Sequence, residues 1–587
     1  MLGDLVQKWK AWWYGYAPQQ QVQRHWWQWT PRFYTVCGGE PASVVARLLP
    51  EPSGLPFKAN VARRIYRVPV GSEVIYWKES RVVGLRGWLR ELLRLPKARI
   101  EFENAVKLTR LGIPTVEPLA WGCERRWWPG TSYFVSRELP QAVPLRDFLL
   151  HTFPCLPQRR QIRLRQQLAR RLGHLLASLH EQGVVHPDLH PGNLLLVPPA
   201  DDEQLSEIRL VDLHAVRFRT RALCWSESRA NLILFNRWFQ LRASRTDRLR
   251  FWRAYVHGRA SWQSTNAAVH RHRIAEVEAL TLRSNQRLWQ ARQRRYIRAS
   301  RHCQQVVAGP CRGLAVRDLK SSLVQYWMQN VDAWINQAEQ SSANLVESTS
   351  APGVAVCQSP NVQLLKKGAS SAVLVVGGRG VDVAGAFVIK RFELRHWYEP
   401  LQHLLRWSPA WRAWRYGHAL LDRGLPTPRP LAVWHRYRWG LPCQGYLVTE
   451  YVADAVPLQR GPEQVQLEAL ARLLRLLHDR GLSHRDLKGD NILVTSAGLP
   501  LLIDLVGVRS FSHVSSYRRI KDLMRLNVSF WHHPQVRLSQ RLRFLFVYAA
   551  VFPRLWVRQK SRPWKKWWIR IRLESLAKLR RWSRLHD

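Results

Sequence analysis

His484-Arg-Asp-Leu-Lys-Gly-Asp-Asn491 decides the architecture, because the chain spells it twice. The earlier version, His186-Pro-Asp-Leu-His-Pro-Gly-Asn193, keeps His, Asp, Leu and Asn at the same spacing. Two more pairs follow the same order. Gly112-Ile-Pro-Thr-Val-Glu-Pro-Leu-Ala precedes the first version as Gly424-Leu-Pro-Thr-Pro-Arg-Pro-Leu-Ala precedes the second. Downstream, Arg248-Leu-Arg-Phe251 returns as Arg541-Leu-Arg-Phe544. Three ordered matches make an internal repeat, and the offset between copies shrinks along the chain, so the first copy carries small insertions. A chain of 587 residues also exceeds what one hydrophobic core supports, which agrees with two domains.

Working outward, each copy opens with short β-like runs and continues into helical pattern. In the second copy, 372–376 and 386–391 read as strands, and 464–480 places Leu and Ala at helical spacing up to Gly481. In the first copy, 98–110 reads as a helix. Strands followed by helices predict an α+β fold: two bilobal domains, each with a small β-rich N-lobe and a helical C-lobe. Residues 336–353, rich in Ser, Ala, Gln and Asn, read as a linker. The expected divisions are a basic aromatic N-terminal segment at 1–40, domain 1 at 41–305, a connecting segment at 306–360 and domain 2 at 361–587. The last of these ends in a basic Trp-rich tail.

The repeated loop carries a recognisable chemistry. In the second copy Asp486 and Asn491 are followed by Asp504 within Leu-Leu-Ile-Asp-Leu-Val-Gly507. This order suits phosphoryl transfer: one carboxylate orients the attacking hydroxyl, while an amide and a second carboxylate hold Mg²⁺ on the phosphates. Lys390 ends the apolar run Phe387-Val-Ile-Lys, placed for the α/β-phosphates, and Lys488 is placed for the transferred phosphate. His484 reads as a packing residue. The first copy offers the same set as Lys78, Asp188, Asn193 and Asp212, with Glu101 on the 98–110 helix positioned to pair with Lys78. One Asp-x-x-x-x-Asn is weak; Lys, loop Asp, Asn and strand-borne Asp in order, twice, is a specific signal.

Composition narrows the partners. A net charge of +49 points to anionic ones: nucleic acid, acidic lipid or phosphorylated glycan. No helix-turn-helix, zinc or RNA-binding signature accompanies the charge, so no specific nucleic-acid partner is expected. Many of the thirty Trp residues lie among basic residues near both ends, including Trp9, Trp12, Trp13, Trp26, Trp27, Trp29, Trp564, Trp567, Trp568 and Trp582. Such a mixture suits peripheral contact with an anionic membrane. Residues 541–557 read instead as packed helix, and 558–584 as the surface-binding part. Eight scattered Cys residues form no C-x-x-C pair, which indicates a reducing compartment. The longest uncharged apolar run, 544–552, is too short to span a bilayer, and no signal-peptide core opens the chain. These features predict a cytoplasmic protein, peripheral at the inner face of the inner membrane.

With these motifs the chain resembles the bacterial lipopolysaccharide kinase family of the Kdo/WaaP type, a branch of the protein-kinase-like superfamily, in both halves. The Gly-Ile-Pro-Thr-x-x-Pro-Leu-Ala segment is part of that resemblance, and Asp-Leu-His-Pro-Gly-Asn is also similar to small-molecule kinases such as aminoglycoside phosphotransferases. The resemblance implies ATP as donor, Mg²⁺ as cofactor, and as acceptor a sugar hydroxyl of the lipopolysaccharide inner core, an anionic glycolipid.

Departures from the pattern keep other readings open. Neither copy has a Gly-x-Gly-x-x-Gly loop. The second has Lys367-Gly-Ala-Ser-Ser371, where Gly368, Ser370 and Ser371 are small enough to let backbone N–H groups approach phosphate. The first has Lys58-Ala-Asn-Val-Ala-Arg63, without glycine, and no Gly follows its Asp212 closely. At the position matching Glu101 the second copy has Ala413. The alternatives are a protein Ser/Thr/Tyr kinase, which the Arg485-Asp-Leu-Lys488 wording suits, and a kinase-like scaffold or nucleotide sensor without catalysis.

Overall fold

In Arg63–Val70, Tyr66, Val68 and Val70 are buried while Arg67 and Pro69 face solvent, the period-2 pattern of a half-buried strand. Strands of this kind build a seven-stranded antiparallel sheet. Its order is Gln20–Val22, His25–Trp29, Pro118–Cys123, Ser132–Arg137, Glu73–Ser80, Arg63–Val70, Lys58–Asn60. The second half repeats it: Cys303–Ala308, Cys311–Val316, Pro430–Arg438, Leu441–Glu450, Phe387–Phe392, Ser371–Gly377, Asn361–Gly368. The computed structural model describes residues 20–50, 52, 56–92, 94–124, 129–198, 207–262, 265–347, 361–368, 371–377, 386–394, 396, 398–460, 463–550 and 563–586. The chain divides into two units, residues 1–284 and 285–587.

After each sheet come a small three-stranded sheet, a two-stranded pair and a set of helices. The helix Gln158–Glu181 buries Leu164, Leu168, Leu172, Leu175, Leu176 and Leu179 along one stripe. Its counterpart Gln464–Asp479 buries Leu467, Leu470, Leu473, Leu474 and Leu477, and Gly481, at φ 79°, turns the chain away. The expected 98–110 helix is Lys97–Arg110, and the expected strands 372–376 and 386–391 lie at Ser371–Gly377 and Phe387–Phe392. Each unit is thus a β-rich N-lobe and a helical C-lobe, the predicted α+β class.

The domain edges differ from those expected. Within 1–40, residues 1–19 lie outside the described residues, but His25–Trp29 is a strand of the first sheet. Trp27 is fully buried there, its ring 5.1 Å from Trp77 and 5.5 Å from Tyr133 between centroids. Opposite it stands Gly122, where a Cβ would come 2.4 Å from the indole. The matching hairpin of the second sheet, Cys303–Val316, crosses the expected 305/306 edge, and the 306–360 segment holds the helix Ser321–Glu347. That helix packs Trp327, Met328, Val331 and Ile335 into the core beneath it, so the supposed linker 336–353 is helical through Glu347. The remainder of that stretch lies outside the described residues. The division between units falls at 284/285, inside the helix Ala267–Gln293. From there Trp289 is buried against the Arg423 guanidinium, 4.8 Å from its ring, and Arg292 bonds Asp422 at 3.2 Å.

Of the 558–584 stretch read as surface-binding, 558–562 lie outside the described residues, and the helix Pro563–His586 divides its apolar residues between the core and solvent, with Ile569 and Leu573 exposed. Trp564, Trp567 and Trp568 pack against the C-lobe core, with Ile571 and Ser575 buried, so most of the aromatic face is spent inward. Trp582 is half exposed among basic neighbours. In the preceding helix Leu538–Ala550, Leu545, Val547 and Tyr548 are buried, as expected of packed helix. No helix among the described residues is long and apolar enough to cross a membrane.

Candidate active site

In the second unit the site is assembled from four elements. Strand Phe387–Phe392 carries Lys390, whose Nζ donates to Asp504 Oδ1 at 2.8 Å. Asp504 follows strand Pro500–Leu502 and sits at φ 54°, a left-handed conformation that costs an L-residue energy and is tolerated where function demands it. Asp486 lies just past strand Leu482–His484, and the turn Gly489–Asn491 brings Asn491 back to it. The Asn491 amide donates to Asp486 O at 2.8 Å and Oδ2 at 3.0 Å. Gly507 packs closely against the loop: a Cβ there would stand 3.1 Å from the Asp486 backbone nitrogen. Lys488 Nζ is 3.8 Å from Asp486 Oδ2, and the Asp486 side chain is more than half exposed, open to an incoming hydroxyl.

His484 is fully buried, accepting the Asp486 N–H on Nδ1 at 3.3 Å with Nε2 3.4 Å from Ile503 O. It is a packing residue, as its place in the loop suggested. Burial holds its imidazole below the ordinary range, that is, neutral. Gly368 and Ser371 face each other where the hairpin Asn361–Gly368/Ser371–Gly377 closes, with Ser371 opposite Phe392, two residues past Lys390. Ser370 lies outside the described residues.

The first unit brings the equivalent set together and adds to it. Lys78 Nζ lies 2.5 Å from both Glu101 oxygens and 3.4 Å from Asp212 Oδ1. Burial, and then the Asp212 carboxylate, push the Glu101 carboxyl up to about 7, although the Lys78 ammonium lies on both its oxygens. Asp212 also has a left-handed backbone, φ 62°. Asn193 donates to Asp188 O at 2.9 Å and Oδ2 at 3.4 Å. Two further residues reach Asp212: Arg63 donates to both its oxygens at 3.2 Å, and His214 Nδ1 is 2.8 Å away. Burial pushes the Asp212 carboxyl up, but the His214 bond and the Arg63 charge outweigh this and hold it well below the usual carboxylate range. Where the second unit has Gly507, the first has Ala215.

The second unit's donor set fits a hard divalent cation. The Asn491 amide nitrogen is committed to Asp486, so its carbonyl oxygen is the atom that could serve a cation, and Asp504 is engaged by Lys390 through one oxygen and partly exposed.

The motif reading missed the residues that hold the loop in place. Asp522, on helix Ser516–Ser529 and 1 % exposed, accepts from Ser483 Oγ at 2.6 Å and the His484 backbone N–H at 2.9 Å. His478 reaches the same carboxylate at 3.3 Å and Tyr548 at 2.7 Å. In the first unit Asn231 takes this place, donating to His186 O at 2.7 Å, with His180 joining it to Tyr255. The signal was available as a second layer of the repeat, His180/Asn231/Tyr255 against His478/Asp522/Tyr548, but the Asn-to-Asp exchange hid it.

Residues 76–255 and 395–548 match the lipopolysaccharide kinase (Kdo/WaaP) family, one segment in each unit. Two relatives described as 3-deoxy-D-manno-octulosonic acid kinase, from Xylella fastidiosa strains M12 and 9a5c, are each 33% identical over 89 residues. Each match takes in 14% of this chain and 35% of the relative's length. A solved structure described as WaaP in complex with acyl carrier protein is 22% identical and superposes with a TM-score of 0.32. It covers 43% of this chain and 95% of that one. With a matching segment in each repeat and the same lysine, loop aspartate, asparagine and strand aspartate in both, the chain belongs to the lipopolysaccharide kinase (Kdo/WaaP) family.

Proposed function

We propose that the chain is an ATP-dependent kinase that transfers the γ-phosphate to a sugar hydroxyl of the lipopolysaccharide inner core, the Kdo residue or a heptose. The observation that carries this reading is the pairing, in the second unit, of the Lys390–Asp504 contact with the Asp486–Asn491 loop. Asp486 accepts the proton of the acceptor hydroxyl and aims it in line; Lys390 steadies the α/β-phosphates; Lys488 meets the transferred group. Asn491 and Asp504 would hold Mg²⁺, which, when bound, neutralises charge on the phosphate oxygens. Gly368 and Ser371, which face each other at the hairpin end, would offer backbone N–H groups to the nucleotide phosphates. In the first unit Lys78, Asp188, Asn193 and Asp212 occupy the matching places, and Glu101, where the second unit has Ala413, pairs with Lys78.

A glycan acceptor is favoured over a peptide by the run from Gly507 to helix Ser516–Ser529. It holds strand Val508–Ser510 and a short turn, too little chain for a peptide-docking platform. The family name and the Kdo kinase relatives point the same way. Contact of the basic surface with the anionic membrane at the inner face of the inner membrane would bring enzyme and glycolipid together.

The test is phosphate incorporation by the purified protein from ATP and Mg²⁺ into deacylated core oligosaccharide. Incorporation is expected in the wild type, and Asp486→Asn should lower kcat by about 10²–10⁴-fold, the usual contribution of a positioned base. A wild type that phosphorylates no core sugar overturns the reading.

A further inference from the structure

The two units treat the strand aspartate differently, and the difference is a matter of charge. In sheet register Arg63 stands opposite Ser80, two residues past Lys78, as Ser371 stands opposite Phe392, two past Lys390. A hydroxyl in the second unit is therefore replaced by a guanidinium in the first. That guanidinium spans both Asp212 oxygens at 3.2 Å, a bidentate, charge-assisted pair that matches the carboxylate's geometry. His214 stands where the second unit has Val506, and its Nδ1 is 2.8 Å from Oδ1. Lys78, which also bonds both oxygens of Glu101, completes the ring around Asp212.

Glu101, Asp212 and His214 do offer three ligand atoms within 4.8 Å of one another. Yet a divalent ion entering there meets a guanidinium and an ammonium already bonded to the two carboxylates. It would have to displace Arg63 from Asp212 and remain beside both cations. The donor set of the first unit does not fit Mg²⁺. A second departure lies next door: the Gly507 position, where a Cβ crowds the Asp486 backbone nitrogen, is Ala215 in the first unit.

We propose that Arg63 replaces the divalent cation in the first unit, so that this unit takes no metal at Asp212 and transfers no phosphate, leaving the second unit as the transferring one. The assignment of transfer rests on the kinase reading above; the metal count does not. Arg63 belongs to the N-lobe sheet and Asp212 to the C-lobe, so the same ion pair also ties the two lobes of the first unit together.

The experiment counts Mn²⁺ bound per full-length chain by equilibrium dialysis with a non-hydrolysable ATP analogue. The expected count is one in the wild type, none in Asp504→Asn, one in Asp212→Asn, one in Arg63→Lys and two in Arg63→Ser. Two ions in the wild type, or one that survives Asp504→Asn and disappears in Asp212→Asn, overturns the proposal. So does an Arg63→Ser variant with the wild-type count. A wild type that binds no Mn²⁺ and phosphorylates no core sugar speaks against the kinase reading alone. The proposal is then decided by Arg63→Ser: one gained ion supports it and none overturns it.

Discussion

Asp522 shows how a single buried carboxylate sets the site. It is 1 % exposed and gathers Ser483, the His484 N–H, His478 and Arg525, so the strand entering the catalytic loop cannot drift. Removing it strands two buried donors at about 1–3 kcal/mol each. Asp522→Ala is therefore expected to lose roughly 3 kcal/mol in urea unfolding and to lower transfer further by loosening Asp486. Asp522→Asn should recover part of both, because Asn231 serves at the equivalent place through its amide. Equal losses in the two variants would mean that only the charge matters there. Lys390 illustrates the opposite economy: with Ala413 where the first unit has Glu101, its recorded ion-pair partner is Asp504, at 2.8 Å.

Two helices carry predictions of their own. Pro563–His586 packs Trp568 against the C-lobe core, although sequence read it as a surface anchor. Burying a Trp fully is worth about 3–5 kcal/mol on truncation, and this one is partly buried, so Trp568→Ala should cost about 2 kcal/mol in urea unfolding. An unchanged midpoint would restore the anchor reading. Gln158–Glu181 carries His180, fully buried between Tyr255 and Asn231, where burial lowers its pKa to about 4 from the ordinary 6.5. The folded protein keeps this imidazole neutral while the unfolded chain protonates it. Stability is thus whole above pH 6.5 and is lost as pH falls towards 4, by up to about 3 kcal/mol at ~1.4 kcal/mol per unit. The difference in unfolding free energy between wild type and His180→Asn should narrow by that amount between pH 7 and pH 4; a constant difference would exclude a neutral buried His180.

At the scale of the whole molecule, 91 Lys and Arg against 42 Asp and Glu give a field that acts at long range. If that field recruits the chain to an anionic surface, binding to phosphatidylglycerol vesicles should weaken steeply as salt rises from about 0.01 to about 1 M. Over this range the screening length falls from ~30 to ~3 Å. Because most of the Trp face of Pro563–His586 is used inward, the salt-resistant remainder should be small. Binding that persists at 1 M salt would show that apolar insertion dominates instead.

The sequence by itself determined the repeat, the α+β class and the Lys, Asp, Asn, Asp series in each half, since each is written in short motifs whose order the fold preserves. It also placed the helix Lys97–Arg110 and its Glu101 within a residue of where they lie. Only tertiary structure decided the rest. The first hairpin of each sheet escaped notice because Gln20–Trp29 and Cys303–Val316 share a place in the sheet but no spelling. Arg63 read as a residue of a glycine-free loop; its partner is 149 positions away, and only closure of the lobes brings guanidinium and carboxylate together. Asp522 was silent because its counterpart in the first repeat is Asn231, and its bonds to Ser483, His484 and His478 form only when the C-lobe packs. A motif records local order, whereas the charges that decide what a site can bind meet through space, across strands and lobes that only packing aligns.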